Sequence, residues 1–459
     1  MNAPQEPRAD TIAAVATPPG EGGIAVIRLS GPDSWPIAAR FCPLPSPPEA
    51  GRAYLRRLAD PATGDLIDEG IVLLFRAPKS YTGEDAAELQ IHGSPVVARR
   101  LLDALLACGA RQAEPGEFTR RAFLNDKLNL TQAEAVLDLI HARSEQAARM
   151  AAAQLSNALG RQLEALYGRL ATLLADTEAM LDFPDDELPQ SVPVELARRL
   201  AEARQDLQRL IESAPRGQRL RDGARVALVG CPNVGKSTLL NRLAGRDRAI
   251  VSDTPGTTRD TIEETIVFHG IPLTLVDTAG LRDTPSALEL EGIRRTKAEI
   301  DRADLLLLLL DASVPLTDEE KALLDAVPHD RTLIVLNKTD LGTQKRGTPL
   351  PSPAVETCLA AESASIDALE EKMLDRLLPK TAREAETPVA ISLRHQKALE
   401  EVDAALARAL PDLESGSEEQ ILPAAMALRD GLLRLGQLFG KNTPEDVLDR
   451  LFNRFCVGK

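Results

Sequence analysis

Hydrophobic and polar residues change their spacing several times along the chain, and each change marks a different kind of segment. Residues 1–118 hold short apolar runs separated by turn-forming Gly and Pro residues, and the runs Gly23–Leu29, Gly70–Phe75 and Ala87–Ile91 predict strands. The spacing within Val96–Ala107 predicts one helix among them. This first segment therefore predicts a compact α+β domain.

The next segment is helical almost throughout, because apolar residues recur every three or four positions. Before the middle of the chain the predicted helices are Leu128–Gln154, Leu159–Met180 and Val194–Glu212. The same spacing returns after Pro388, in Arg394–Leu410, Glu418–Phe439 and Pro444–Phe455. Two helical stretches thus flank the central part of the chain.

The central part contains strand-like apolar runs that are each followed by polar motifs. These runs are Arg225–Val229, Leu273–Val276, Leu305–Leu310 and Thr332–Leu336. Because insertions tolerate neighbouring termini, the economical arrangement is one helical domain interrupted by an inserted α/β domain. The predicted boundaries are 1–118 for the N-terminal domain, 119–216 with 381–459 for the helical domain, and 217–380 for the inserted domain.

Composition and charge narrow the possible functions. A chain of 459 residues predicts about two to four domains. Its net charge of −15 is unusual for a nucleic-acid binder, although a local basic patch is compatible with that net charge. The five cysteines have no disulfide or zinc spacing, which is typical of a reducing cytosol. With no signal sequence in Met1–Asp10 and no apolar run of membrane-spanning length, we expect a cytoplasmic protein without membrane contact.

One motif points to nucleotide chemistry. The stretch Gly230-Cys-Pro-Asn-Val-Gly-Lys-Ser237 fits the P-loop pattern, in which glycines let backbone N–H groups turn toward phosphate oxygens. Lys236 adds a positive charge near the β and γ phosphates, and the Ser237 hydroxyl can bind Mg²⁺. An ordinary strand–helix turn is the alternative, and it is disfavoured because further nucleotide motifs follow in the right order.

Those motifs indicate GTP as the nucleotide. Asp277-Thr-Ala-Gly280 follows a strand and predicts an Asp that holds Mg²⁺ through water, and Thr258, in the predicted switch loop 252–260, predicts a second Mg²⁺ contact. Asn337-Lys-Thr-Asp340 supplies a carboxylate that can accept two hydrogen bonds from guanine, which adenine cannot donate. Cys358-Leu-Ala360 departs from the usual guanine loop, so contacts there would come mainly from the backbone.

The predicted GTP-binding residues form five groups along the chain. They are Asn233, Val234, Gly235, Lys236, Ser237 and Thr238; Ser252, Asp253, Thr254, Pro255, Gly256, Thr257 and Thr258; Asp277, Thr278, Ala279 and Gly280; Asn337, Lys338 and Asp340; and Cys358, Leu359 and Ala360. The glutamine that orients water in Ras-type enzymes is replaced by Leu281, so another group must position the water. Arg259 and Arg282 are candidates for supplying positive charge.

Several stretches carry a resemblance to a known family. They are Thr17–Gly31, Tyr81–Asp85, Pro115–Phe118, Ala122–Lys127, Gln132–Ala135, Gly256–Asp260, Asp277–Arg282 and Phe455–Lys459. With these stretches the chain resembles the MnmE (TrmE) family of bacterial tRNA-modification GTPases from about Thr11 to Lys459. The resemblance implies a multidomain α/β and α+β fold: an N-terminal folate-binding domain, a discontinuous helical domain and an inserted Ras-like P-loop GTPase domain.

The same resemblance implies partners and cofactors. It implies a homodimer formed through the N-terminal domain, and a heterotetramer with the FAD-containing protein MnmG. Together they would install an aminomethyl or carboxymethylaminomethyl group at C5 of the wobble uridine of tRNA. The one-carbon unit would come from 5,10-methylene- or 5-formyl-tetrahydrofolate. GTP is the implied substrate, with Mg²⁺ and K⁺ as its metal ions.

Particular residues match family positions. The K⁺ ligands implied are Asn233, Ser252, Thr254 and Thr257, the Mg²⁺ ligands are Ser237 and Thr258, and the folate contacts are Arg28, Glu88, Lys127 and Lys459. Glu289 matches the catalytic glutamate that orients water; without the resemblance, a solvated acid is the simpler interpretation. Cys456 is either active in tRNA chemistry or an uninvolved thiol, while His92 and His395 are expected to be structural.

Two other functions fit parts of the sequence. An Era-like GTPase switch in ribosome or RNA assembly would also carry the nucleotide motifs, but such proteins append basic RNA-binding modules. A folate-dependent one-carbon transferase with a regulatory GTPase differs only in needing no partner flavoprotein. Three features favour the tRNA-modification function: the acidic net charge, the 118-residue N-terminal segment and the Phe-Cys-Val-Gly-Lys tail.

Overall fold

The structure is a computed structural model that describes residues 10–182, 191–246, 263–277, 299–341, 350–351, 354–357, 364–378, 391–441 and 443–459. It divides into two compact units, Met1–Leu137 with Leu433–Lys459, and Asp138–Leu432. Among the described residues, no helix is both long and apolar enough to cross a membrane.

The first unit is built on a six-stranded sheet in the order β3-β4-β5-β2-β1-β6. Its strands are β1 Ile12–Val15, β2 Gly22–Ser30, β3 Ala53–Ala59, β4 Leu66–Phe75, β5 Ala86–Gly93 and β6 Arg111–Gln112. Neighbouring strands are antiparallel except β1 and β6. Alternate residues of β2, such as Ile27 and Leu29, are buried in a core shared with helices α1 Ser34–Phe41 and α2 Pro95–Ala107.

Short helices complete the first unit. They are α3 Glu117–Leu124 and α13 Glu445–Phe452, and α4 Leu130–Ile140 begins within the unit. Phe123 of α3 lies 6.4 Å from Phe452 of α13 between ring centroids, and Arg120 forms ion pairs with Glu445 and Asp449. The last helix of the chain therefore packs directly on the N-terminal part of this unit.

The second unit begins and ends with long helices. They are α5 Glu145–Leu155, α6 Ala158–Asp182 and α7 Ser191–Asp222 before the central sheet, and α11 Leu393–Ser415 and α12 Glu418–Leu438 after it. Helix α7 packs on α6 and on α11, and Arg204 of α7 donates to Asp403 of α11 at 2.9 Å. Helices from both sides of the inserted segment thus form one helical domain.

The inserted segment is a six-stranded sheet in the order β12-β11-β10-β7-β9-β8. Its strands are β7 Ala224–Gly230, β8 Glu263–Phe268, β9 Ile271–Asp277, β10 Leu305–Asp311, β11 Thr332–Asn337 and β12 Ala354–Glu356. All pairs are parallel except β8 and β9. Helices α8 Lys236–Arg246, α9 Asp318–Ala326 and α10 Ala364–Leu377 belong to the same segment.

Strand β10 shows why this sheet is covered on both faces. Leu305, Leu307 and Leu309 lie in the core that includes residues of α8 and α10, whereas the alternate leucines of the strand lie in the core that includes residues of α9. Successive side chains of a strand point to opposite faces, so a continuous apolar run needs an apolar layer on each side.

The predicted fold class is confirmed: an α+β N-terminal unit, a discontinuous helical domain and an inserted Ras-like sheet. The domain boundaries stay a prediction. The single helix predicted over Leu128–Gln154 is wrong, because α4 ends at Ile140 and α5 begins at Glu145. The Ser144 hydroxyl accepts a hydrogen bond from the Ala147 N–H and so starts a new helix.

Candidate functional site

The P-loop joins β7 to α8 with a tightly packed backbone. A side chain at Gly230 would place its Cβ 2.5 Å from the Leu309 carbonyl oxygen, so only glycine fits where the loop begins. Gly235 has φ +105° and Asn233 has φ +60°, a left-handed conformation that is uncommon for a residue with a side chain. Because strained backbone of this kind clusters where ligands bind, the loop has the character of a binding element.

Lys236 is held across this loop. Its side chain is 5% exposed, and its Nζ donates to the carbonyl oxygens of Gly230 at 2.8 Å and Cys231 at 2.7 Å. These bonds keep the ammonium group at the mouth of the loop, where backbone N–H groups at the start of α8 also point. The arrangement concentrates positive charge where an anion would bind.

Ser237 and Asp277 come together next to the loop. The Ser237 hydroxyl donates to the Asp277 carboxylate at 3.1 Å, and Asp277 is 4% exposed at the end of β9. Strands β7 and β9 are parallel neighbours, so their carboxyl ends lie side by side. Hydroxyl and carboxylate oxygens are the ligands that Mg²⁺ prefers, so this pair fits a magnesium site.

The predicted base-recognition motif lies at the same edge of the sheet. Asn337, 3% exposed at the end of β11, donates from Nδ2 to the Val234 carbonyl oxygen at 2.8 Å and so ties the motif to the P-loop. Lys338 has φ +62° and its Nζ lies 2.8 Å from Asp311 Oδ2. Asp340 is exposed, which leaves its carboxylate open to a ligand.

Many predicted site residues lie outside the described residues. They are Ser252, Asp253, Thr254, Pro255, Gly256, Thr257, Thr258, Thr278, Ala279, Gly280, Glu289, Cys358, Leu359 and Ala360. Among the described residues, the structure places Asn233–Thr238, Asp277, Asn337, Lys338 and Asp340 around the carboxyl ends of neighbouring strands. Thr238 is exposed in the first turn of α8.

A second cluster lies in the first unit, around Arg28. Arg28 and Glu88 face each other across β2 and β5, and Arg28 Nε and Nη2 both lie 2.9 Å from Glu88 Oε1. The guanidinium carbon lies 5.4 Å from the ring centre of Tyr81 and 5.7 Å from that of Phe118. The Arg28 side chain, 18% exposed, is therefore fixed by one charge and two aromatic rings.

The last residues of the chain pack against this cluster. Val457 pairs with Pro115 in an antiparallel bridge, and a Cβ at Gly458 would lie 2.5 Å from the Val15 carbonyl oxygen. This close packing brings Lys459 near Arg28, and burial together with the Arg28 charge lowers the pKa of Lys459. The three charged residues Arg28, Glu88 and Lys459 thus lie close together.

Lys127 belongs to the neighbouring loop instead. Its Nζ donates to the Pro78 carbonyl oxygen at 3.0 Å, and its stem packs against Gly83. Both contacts are with the segment 76–85 that connects β4 to β5 and carries Tyr81. The structure therefore links Lys127 to the Arg28 cluster through this segment.

A buried ionic network fixes the same segment. Arg121, whose side chain is 7% exposed, donates to Asp10 at 2.7 Å, Glu117 at 3.0 Å and Glu84 at 3.2 Å. Burial by itself would raise the pKa values of Asp10 and Glu117, but hydrogen bonds from Arg111 and Arg121 outweigh burial and lower both. The carboxylates stay charged, and the segment is anchored to α3.

Several of these groups are not predicted by the sequence. Tyr81 and Phe118 lie in stretches that match the family, but nothing in their spacing predicts that they flank Arg28.

Cys456 is exposed, so its thiol is accessible to a ligand. His92 is also exposed and pairs with Asp68 at 2.8 Å, whereas His395 is 1% exposed and completes the capping box of α11 with Ser392.

Comparisons with known proteins cover nearly the whole chain. The family model described as MnmE helical domain matches residues 130–456, and the model described as GTP-binding protein TrmE N-terminus matches residues 11–127. The proteins named tRNA modification GTPase MnmE from Geobacter metallireducens and Geobacter sulfurreducens are 44% and 41% identical, each over 98% of this chain and 99% of the relative. The protein of that name from Thermotoga petrophila is 41% identical over 98% of this chain and its own full length.

Proposed function

This chain belongs to the MnmE (TrmE) family, and we propose that it is a potassium-activated GTPase acting in tRNA modification. Hydrolysis would drive conformational cycling while an aminomethyl or carboxymethylaminomethyl group is added at C5 of the wobble uridine. The observation that carries the proposal is the convergence of Lys236, the Ser237–Asp277 pair and the Asn337–Val234 bond at one sheet edge.

Each of these groups has a defined task toward GTP. The N–H groups of the P-loop and Lys236 bind the phosphates, and the exposed Asp340 carboxylate accepts hydrogen bonds from guanine. Ser237 and Asp277 would hold Mg²⁺, with Thr258 of the switch loop as a further ligand. When bound, Mg²⁺ offsets the negative charge of the phosphates.

Potassium would supply the positive charge that an arginine supplies in other GTPases, in place of the candidates Arg259 and Arg282. Asn233 stands in the exposed part of the P-loop, and its amide oxygen is a suitable ligand for a hard, weakly charged cation. Ser252, Thr254 and Thr257 would complete the K⁺ site, and Glu289 would position the attacking water. When bound, the ion stabilises negative charge that develops on the phosphates.

The Arg28 cluster is proposed as the folate site. Both Arg28 nitrogens contact Glu88 Oε1, so Glu88 Oε2 lies outside that pair and can accept from the aminopyrimidine edge of a pterin. Tyr81, which is 36% exposed, provides a flat ring beside it, while Lys459 and Lys127 suit the carboxylates of a glutamyl tail. The ligand would be 5,10-methylene- or 5-formyl-tetrahydrofolate.

The family also suggests how the protein works with others. We expect a cytoplasmic homodimer formed through the N-terminal domain, assembled with MnmG into a heterotetramer that acts on tRNA. The net charge of −15 predicts that tRNA binding depends on local basic groups or on the partner.

Nucleotide binding tests the first part of the proposal. Wild-type protein is expected to bind fluorescent GDP and GTP, Lys236→Ala to lose that binding, and Asp340→Asn to lose its preference for guanine over adenine. Thr172→Val, in an exposed helical position of α6, is the control. Normal GTP affinity in Lys236→Ala would contradict the P-loop assignment.

Two further variants separate catalysis from folate binding. Glu289→Ala should bind GTP normally and hydrolyse it slowly, because only water positioning is lost. Arg28→Ala should lose tetrahydrofolate binding while GTP turnover stays at the wild-type rate. If Arg28→Ala bound folate normally, the second cluster would not be the folate site. If the wild-type protein bound no folate, an Era-like switch would become the better description.

A further inference from the structure

A carboxylate outside the recognised motifs holds the lysine of the base-recognition motif. Lys338 Nζ lies 2.8 Å from Asp311 Oδ2, and the two side chains are 31% and 17% exposed. Asp311 is the last residue of β10, and Lys338 directly follows the neighbouring parallel strand β11. The pair therefore joins the carboxyl ends of two strands at the edge where the nucleotide motifs meet.

Asp311 is itself held in place. Its Oδ1 accepts hydrogen bonds from the Ser313 hydroxyl at 2.6 Å and the Ser313 N–H at 3.0 Å. Its N–H lies 3.4 Å from Glu320 Oε1, and Glu320 forms the capping box of α9 with Thr317. Burial would raise the pKa of Asp311, but Lys338 and Ser313 lower it, so the carboxylate is charged.

Lys338 has little freedom at its backbone. Its φ of +62° is uncommon for a residue with a long side chain, and it persists because both neighbours are anchored. Asn337 is bonded to Val234 at 2.8 Å, and the Thr339 hydroxyl donates to the Thr357 carbonyl oxygen at 3.0 Å. With its ammonium group on Asp311 as well, the Lys338 side chain is fixed at both ends.

We propose that Asp311 is a positioning residue for guanine nucleotides: it holds the Lys338 ammonium group so that the methylene stem forms one wall of the base site. This inference rests on the proposed GTP-binding function. A prepositioned stem offers a flat base an apolar surface at little entropic cost. A released Lys338 would move among many rotamers, and each nucleotide would have to order it on binding.

The proposal predicts a specific pattern of effects. The wall contacts the base, which GDP and GTP share, so loss of Asp311 should weaken both nucleotides equally. Because the pair is partly exposed, we expect about a fivefold rise in Kd for each. The turnover number at saturating GTP should stay within about twofold of wild type, since neither residue belongs to the P-loop or to the Ser237–Asp277 pair.

The experiment is a double-mutant cycle on fluorescent GDP and a non-hydrolysable GTP analogue. Asp311→Asn, Lys338→Met and the double variant are compared with wild type in the full chain. Asp318→Asn is the matched control, because Asp318 forms a 2.8 Å ion pair with Lys321 on the exposed side of α9. Asp311→Glu keeps the charge and replaces the Asn variant if that variant does not fold.

The outcomes are distinct. The proposal requires the Asp311→Asn effect to disappear in the Lys338→Met background and the Asp318→Asn control to bind as wild type. An equal effect of Asp311→Asn in both backgrounds would mean a purely structural role and would overturn the proposal, as would unchanged affinity in the single variant. Failure of the wild-type protein to bind either nucleotide would instead refute the proposed function.

Discussion

The bond between Asn337 and Val234 gives the sharpest test of how the nucleotide site is assembled. Asn337 is 3% exposed and donates from Nδ2 to the Val234 carbonyl oxygen at 2.8 Å. Asn337→Ala removes the donor and leaves a buried carbonyl group without it, which costs about 1–3 kcal/mol. If the P-loop is correctly shaped only with this bond, that energy is lost from nucleotide binding.

The expected loss can be stated as an affinity. At 1.4 kcal/mol per tenfold change, about 1–3 kcal/mol corresponds to a roughly 5- to 150-fold rise in Kd for GDP. Titration with fluorescent GDP measures this change directly. The two-unit structure makes a single unfolding free energy ill-defined, so binding is a better measure than global unfolding.

The matched control lies two residues further along. Thr339→Val removes a hydroxyl bond to the Thr357 carbonyl oxygen, but the Thr339 N–H still lies 3.4 Å from the same oxygen. No buried carbonyl group loses its last local donor, so Kd should change by less than about threefold. Equal effects of Asn337→Ala and Thr339→Val would refute the claim that the Asn337 bond shapes the P-loop.

Two further predictions concern the first unit. Asp10 and Glu117 have pKa values below their ordinary 3.8 and 4.5. Their carboxylates therefore stabilise the fold fully at pH above the ordinary values. That stabilisation is lost as the pH falls through the lowered pKa values. Acid unfolding of this unit, followed through the chain's single tryptophan, which lies in it, should show that loss. Arg121→Met should lower the unfolding free energy of this unit by about 3 kcal/mol at neutral pH and should flatten its pH dependence. Gly116→Ala should weaken folate binding but not GTP turnover, because its Cβ would lie 2.4 Å from a carbonyl oxygen of α13. The control Gly109→Ala has a φ of +109° and open space around its Cβ, and it should bind folate normally. Equal effects of the two variants on folate binding would mean that only backbone strain matters.

The fold of the inserted nucleotide-binding domain is well predicted by the sequence, because the apolar runs and motifs that indicate it are local. The apolar run in β10 and the motif after each parallel strand lie within a few residues of the groups they position. Strand β3 lacks such a local signal and is not among the predicted strands. Ala53–Ala59 contains two arginines and alternates weakly, so only its pairing with β4 identifies it as a strand.

The folate cluster shows a different limit. Arg28 and Glu88 are 60 residues apart and meet only through the register of β2 and β5. Lys459 arrives from the far end of the chain through the packing of Gly458. The resemblance pointed to these three residues, but the rings of Tyr81 and Phe118 and the network around Arg121 depend on tertiary packing that no spacing reveals.

Asp311 illustrates a similar point within the nucleotide fold. In the sequence it is the polar residue that ends a leucine-rich strand, which is an ordinary position for an acid. Only the parallel pairing of β10 with β11 places its carboxylate 2.8 Å from Lys338. A role for this residue therefore becomes visible only in the assembled sheet.

The most direct test of the central claim is GTP turnover in KCl compared with NaCl at equal ionic strength. We expect a large potassium-specific rise in the wild-type protein and its loss in Asn233→Ala, because the missing positive charge would be an ion held at Asn233. Equal rates in both salts would contradict potassium activation. The charge would then come from an arginine or a partner protein, and the assignments of Asn233 and Glu289 would fall with potassium activation.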